Sequence, residues 1–347
     1  MSISHQLSSH PLIIPRNLHS SSSSISSPIR MLTFLPFFSK SISFDPVKDI
    51  PSLAGKVILV TGGNSGLGKQ SVLDLARHSP AQIYLCARNV EKGHAAAEDI
   101  KKQVPGANIT VLELDLASFD SIKKAASTVL ALSQRLDILL ANAGIMYADP
   151  AQTAEGYELQ FGTNHMGHAL LVKLLLPLLT KTAETPLEDN TTPSVRVIFL
   201  SSMAHMFLWK KDAVTFDDCL KSPGDNISWM TRYARSKLSN LLYARALAKR
   251  YPNLTVVAVH PGGVRTSLIE DASKASIVTK IMSRFLAPVE QGVRNQLWAA
   301  TAKAGVVSGE YYEPVGLKGM RSGNAKDEGL AEKLWEYTEK ELEGHSL

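Results

Sequence analysis

The sequence predicts an α/β protein with a single doubly wound parallel sheet flanked by helices. Two observations carry this. Strand-like and helix-like stretches alternate from Lys56 onward, and each strand-like stretch is a continuous apolar run rather than an alternating one. A strand covered on both faces reads that way. Strand–helix alternation builds a parallel sheet wound on both sides through right-handed crossovers.

Taken in order, VILVTG (57–62) reads as the first strand, with a helix over about 66–78. QIYLCA (82–87) is the second, with a helix over about 90–103, and ITVLELD (109–115) the third, with a helix over about 118–134. LDILLANAG (136–144) is the fourth, and a long helix follows over about 154–180. The polar stretch 181–194 reads as a surface loop before VRVIFLSS (195–202). A helix over 230–250 leads into LTVVAVHPG (254–262), and an amphipathic helix over about 328–343 closes the chain. Residues 45–347 are thus expected to form one domain.

Residues 1–44 are different. They are Ser-rich, carry Arg16, Arg30 and Lys40, and contain no acid. That composition fits a disordered extension or an organellar transit peptide, so the expected location is cytoplasmic, or organellar if the segment targets. The whole chain has 44% hydrophobic and 20% charged residues and a net charge of +5, a globular composition with no call for nucleic acid. MLTFLPFF (31–38) is too short to cross a bilayer, and no transmembrane span is expected. Cys86 and Cys219 exclude a disulfide framework. The sequons at Asn108, Asn190, Asn226 and Asn253 read as chance. Two of them run into strands expected to bury the acceptor.

Function enters with Thr61-Gly62-Gly63-Asn64-Ser65-Gly66-Leu67-Gly68, directly after the first strand. Glycines let the chain turn sharply and bring backbone N–H groups to a pyrophosphate at a helix N-terminus. Gly68 lets that helix pack close to the sheet. The end of the second strand distinguishes two dinucleotides. An acid there holds the ribose 2′-hydroxyl of NAD. This chain has Leu85-Cys86-Ala87-Arg88-Asn89, and an arginine fork suits the 2′-phosphate of NADP(H). The alternative for Arg88 is a merely solvated side chain.

With TGxxxGxG in place, later motifs fall in order: Asn142-Ala143-Gly144, Asn164 in TNHMGH, Ser201-Ser202, Tyr233-Ala234-Arg235-Ser236-Lys237, and Pro261-Gly262 through Val264 and Thr266. In that order they resemble the short-chain dehydrogenase/reductase family over about residues 53–320. NHMGH, SSMAH and YARSKLSN are most similar to its retinol-dehydrogenase and protochlorophyllide-reductase branch. The phrasing of the chain, with GEYYEP at 309–314, is similar to fungal members, many of which serve secondary metabolism. The resemblance implies a Rossmann-type domain binding NADP(H). Contacts are implied for Gly62, Ser65, Gly66, Leu67, Gly68, Arg88, Asp115, Asn142, Ala143, Gly144, Tyr233, Lys237, Val264 and Thr266. It also implies a catalytic group of Ser202, Tyr233, Lys237 and Asn164, with Asn164 fixing a water that relays protons. Ser201 is the alternative to Ser202.

The chemistry fits those residue types. A free phenol ionises near pH 10, too high for a base at neutral pH. Lys237, four residues on, shares a helix face with Tyr233, and its ammonium is expected to acidify the phenol. Ser202 would stabilise charge developing on a substrate oxygen. Asn164 reads alternatively as a helix amide satisfied by nearby backbone. His165 and His168 lack further ligands at metal spacing and read as helix packing or surface, so no metal is expected. Between Ser202 and Tyr233, a flap (203–232) holds Met203, Met206, Phe207, Leu208, Trp209, Trp229 and Met230. It suggests a hydrophobic, ring-bearing small-molecule substrate, or simply packing onto the core. A lid is expected over 264–287. A homo-oligomer is left open. Two rival readings remain: a retinoid, sterol or lipid dehydrogenase held at a membrane surface by 31–39, and a non-catalytic NADP-binding sensor.

Overall fold

The computed structural model describes residues 41–186, 194–208, 214, 216, 220–265 and 286–347. Lys40–Leu347 form one compact unit. Eight strands make one sheet in the order β3-β2-β1-β4-β5-β6-β7-β8. They are β1 (Val57–Thr61), β2 (Gln82–Ala87), β3 (Ile109–Glu113), β4 (Ile138–Ala141), β5 (Arg196–Leu200), β6 (Thr255–Val259), β7 (Tyr311–Glu313) and β8 (Leu317–Lys318). All neighbouring pairs are parallel except β7 with β8. The order reverses between β1 and β4, and ligands of such sheets bind at the carboxyl ends of the strands at that point.

Helices α1 (Gly66–Ala76), α2 (Val90–Gln103), α3 (Phe119–Leu132), α4 (Leu159–Glu184), α5 (Trp229–Arg250), α6 (Arg294–Thr301) and α7 (Glu328–Glu341) cover the two faces. The strands alternate inward to two cores. In β1, Leu59 joins the core with α3, α4, α5 and α7. Ile58 and Val60 join the core with α1, α2 and α6. Each such side chain contributes about 1.5–3 kcal/mol by leaving water, which is why the apolar runs are unbroken.

The doubly wound architecture agrees with the sequence, but several details differ. β3 stops at Glu113 and β4 at Ala141, so Asp115 and Asn142-Ala143-Gly144 lie just beyond the carboxyl ends of their strands. Helix α4 starts at Leu159 and runs to Glu184, so the first part of the expected 181–194 loop is helical; 187–193 lie outside the described residues. By length and composition α4 could cross a membrane, which the apolar-run count passed over. Its central window is 67% buried, and it packs against α3 in the core. β7, β8 and α6 carried no prediction; strands of three and two residues are too short to show a period. Asn108 and Asn253 are exposed, not buried, because each side chain precedes the first strand residue.

Candidate active site

The glycine turn links β1 to α1. Gly62 has φ +67° and Gly66 φ +48°, a region open to glycine. A Cβ on Gly68 would sit 2.1 Å from the Gly62 carbonyl oxygen, so only glycine lets α1 start this close to the strand. Ser65 caps α1 without a side-chain hydrogen bond, so that hydroxyl makes no cap to the first-turn N–H groups. Gly63 N–H donates to Cys86 O (3.0 Å), placing the turn beside the end of β2 and the exposed Arg88. These features suit a pyrophosphate, with Arg88 beside it. Leu67 packs onto the α1 side core.

Thr61 ties the turn to the end of β4. Its hydroxyl accepts from the Asn142 and Ala143 N–H groups (3.0 and 2.9 Å), and Asn142 Nδ2 donates to Thr61 O (2.8 Å). His168 completes the knot. Its Nδ1–H donates to Asn164 O (2.9 Å), leaving Nε2 to accept from the Thr61 hydroxyl (2.9 Å). Burial holds His168 down to about 4 and His165 to about 3, so both are neutral packing residues; His165 Nε2 pairs with Thr338 Oγ1 (3.0 Å). No metal-holding group of His, Cys, Asp and Glu occurs among the described residues.

Asn164 lies in a π-helical turn, Gly162–Met166, inside α4. Such turns are frequent at functional sites. Glycines flank it by necessity: a Cβ on Gly167 would meet Leu116 O at 2.3 Å. The Asn164 amide accepts from Ile145 N–H (2.8 Å) and donates to Ile145 O (3.0 Å) and Ser236 Oγ (2.9 Å). It therefore joins the β4 loop to α5, beyond the local helix satisfaction considered from sequence. A Cβ on Gly144 would lie 3.2 Å from both Asn164 Oδ1 and Lys237 Nζ, so these groups crowd one spot at the end of β4.

Trp229, Tyr233 and Lys237 follow at four-residue spacing on α5 and share a face. Ser202 lies close enough to the Tyr233 phenol to favour its ionised form. Ser201 is excluded from the same role, because its hydroxyl is buried and donates to Lys237 O (2.7 Å). Lys237 Nζ sits 5.7 Å from the Tyr233 ring centroid and donates to Leu200 O (3.0 Å). Burial pushes the lysine down to about 8. Burial also pushes the Tyr233 phenol up to about 12, with the nearby Ser202 hydroxyl acting in the opposite direction. The chain's own groups therefore do not acidify the phenol as expected from sequence. The lysine, over the ring, gives its hydrogen bond to the Leu200 carbonyl, and burial of the phenol dominates. At neutral pH Tyr233 is a phenol ready to donate.

Asp115 holds the next turn through Oδ1, which accepts from Ala117 N–H (3.0 Å). Val264 is buried and bridges to Ala287, and Arg265 N–H donates to Ala287 O (3.0 Å), so the two ends of the expected lid are joined. Thr266, Trp209 and lid residues 266–285 lie outside the described residues. Of the flap, Leu208 packs onto the core, while Met203 (41%) and Phe207 (50%) are exposed.

Four residues near the reaction centre carried no prediction. His205 Nδ1–H donates to Ser202 O (2.6 Å), and its ring meets Tyr311 edge-on at 5.2 Å. His260 and Tyr311 sit at the ends of β6 and β7 behind it, with His260 held down to about 4 by burial. Tyr147, in the loop after β4, lies tilted against the Trp229 ring. His205 ends SSMAH, Tyr311 lies in GEYYEP and His260 directly precedes the Pro-Gly pair, whereas Tyr147 stands in no recognised motif.

The fold and this arrangement define a dinucleotide-binding oxidoreductase. The short chain dehydrogenase family profile matches residues 56–210. A short-chain dehydrogenase/reductase of Armillaria gallica is 39% identical over 84% of this chain and 92% of its own length. Retinol dehydrogenase 12 of Bos taurus is 35% identical over 82% of this chain and 85% of its own length. A crystal structure of a protein from Mycobacterium paratuberculosis superposes with a TM-score of 0.64 at 30% identity, covering 86% of this chain and 97% of that one. The chain belongs to the short-chain dehydrogenase/reductase family.

Proposed function

We propose that this oxidoreductase uses NADP(H) to interconvert a carbonyl and an alcohol on a hydrophobic small molecule. The observation that carries the reading is the grouping itself: Ser202 acts on the Tyr233 phenol, Tyr233 shares a helix face with Lys237, and Lys237 Nζ and Asn164 Oδ1 both approach Gly144. Bound NADP(H) supplies the hydride. Ser202 holds the reacting oxygen, and Tyr233, protonated at neutral pH, donates to it as negative charge develops. Lys237 and Asn164 meet at Gly144, where a lysine-bound proton would exchange with water. Oxidation needs the phenolate, and the positive charge of oxidised nicotinamide favours that form. Arg88, with no acid at the end of β2, supports the 2′-phosphate.

The test is loss of nicotinamide absorbance with aromatic and aliphatic aldehydes and ketones, using NADPH and NADH in parallel. Consumption with NADPH in preference to NADH is expected. Arg88→Asp should move that preference towards NADH by about tenfold, one charge-assisted contact; an unmoved ratio removes Arg88 from the site.

A second reading, a lipid-like substrate taken from a membrane surface, is favoured by the exposed Met203 and Phe207 and by the likeness to a retinol dehydrogenase. Fungal relatives favour secondary metabolism instead. Deleting residues 1–44 separates the two. Loss of vesicle binding with activity intact supports the membrane reading.

A further inference from the structure

Tyr147 adopts φ +57°, a conformation that is costly for a bulky side chain. The other described non-glycine residue of this kind, Ser79, follows the end of α1, where left-handed residues are routine. Tyr147 has no such helix end to serve. Strain of this sort persists only where surrounding contacts impose it, and here they can be named. On one side, Asn164 pins Ile145 through both of its backbone groups (2.8 and 3.0 Å). On the other, Arg232 Nη2 donates to Ala148 O (2.6 Å). Arg232 is itself buried against Glu158 (3.5 Å), and Glu158 is fixed by the N–H groups of Gln160 and Phe161 (3.0 and 2.8 Å). Tyr147 is thus held between Ile145, two residues before it, and Ala148, directly after it, by groups reaching from α4 and α5.

The clamp delivers the ring to one place. Tyr147 and Trp229 have centroids 3.9 Å apart at 36°. Trp229 lies one turn before Tyr233 on the same face of α5, on the side away from Lys237. Tyr147 is close enough to Tyr233 to oppose ionisation of the Tyr233 phenol. The reacting oxygen at Ser202 and Tyr233 therefore has the lysine at one flank and a pair of aromatic rings at the other.

We propose that Tyr147 and Trp229 form a recognition wall for a planar, unsaturated group next to the reacting carbonyl, and that Tyr147 is the residue setting this specificity. The proposal deepens the functional reading above and rests on it. A flat conjugated or aromatic substituent lies along the ring pair, where offset stacking rewards planarity. A saturated ring of similar size keeps the apolar burial and loses the stacking.

The test uses full-length protein saturated with NADPH, in which an alcohol binds without reacting. Calorimetry gives the affinity ratio of cinnamyl alcohol to 3-cyclohexylpropan-1-ol. Wild type should favour the planar probe by about fivefold or more, the size of an aromatic pair. Tyr147→Gly should bring the ratio to near one while keeping or raising the thermal midpoint, because glycine accepts φ +57° without strain. Tyr147→Phe should keep the preference. A preserved ratio in Tyr147→Gly, no preference in wild type, or equal loss of both probes together with a lowered midpoint would each overturn the proposal. Reduction of cinnamaldehyde by wild type is scored separately: its absence beside an intact binding ratio counts against the function, and its presence beside an unmoved ratio counts against Tyr147.

Discussion

The two halves of the crevice are held together in different ways. On the nucleotide side the shape comes from the backbone. Glycines at 62, 66 and 68 and the Gly63–Cys86 bond set the turn, and the Thr61 knot ties it to the end of β4 and to His168. On the substrate side the shape comes from side chains drawn from distant segments: Asn164 from α4, Arg232 from α5, Tyr147 from the β4 loop and Tyr311 from β7. There, among the described residues, the buried His260 Nδ1 and Tyr311 Oη find no hydrogen-bond partner in the protein itself. The nucleotide half is a glycine cradle, and the substrate half is assembled from side chains packed in from several elements.

Substitutions separate the halves. Gly68→Ala puts a methyl into the Gly62 carbonyl and should weaken NADPH binding by about 100-fold, as several backbone bonds to phosphate are lost together. Equilibrium titration measures it, and near-normal affinity would show that the turn adapts.

Arg232→Met should act on the other half. It leaves Glu158 buried without its cation, and burial already raises that carboxyl above its ordinary range. A loss of about 3–5 kcal/mol in unfolding free energy is expected from removing one partner of a buried pair. Denaturant titration reads it, and a change below about 1 kcal/mol would mean the pair is solvated rather than buried.

A smaller effect comes from pH. Burial holds His165 near 3 and His168 and His260 near 4, against an ordinary value of 6.5. As pH falls from about 6.5 towards 4, the unfolded chain binds protons that the folded chain refuses. Stability present above pH 6.5 is therefore lost progressively on acidification. Thermal midpoints at pH 5 should lie below those at pH 7.5; a flat profile would mean these rings gain protons without unfolding.

The same contrast explains what could be read from residues alone. Thr61 to Gly68 was legible because each glycine answers a local backbone demand and sits beside its own strand and helix. The strands were legible because two-sided burial leaves an unbroken apolar run. The π turn at Asn164 was not, since one altered hydrogen-bond step leaves residue types unchanged. Tyr147 carries no sequence mark of its backbone angle. Arg232 and Glu158, 74 positions apart (232 − 158), meet only through the packing of α4 against α5. Tyr233 and Lys237 were readable as a pair, but the direction of the phenol's shift was not, because desolvation depends on everything packed around it.

The central claim is that one phenol moves the proton. Tyr233→Phe removes that hydroxyl and leaves the ring, the lysine and the glycine cradle in place. With NADPH binding confirmed by fluorescence titration, single-turnover carbonyl reduction should slow by about 1,000-fold, the range of a lost general acid. Reduction within about tenfold of wild type, at unchanged cofactor affinity, would place the proton donor elsewhere.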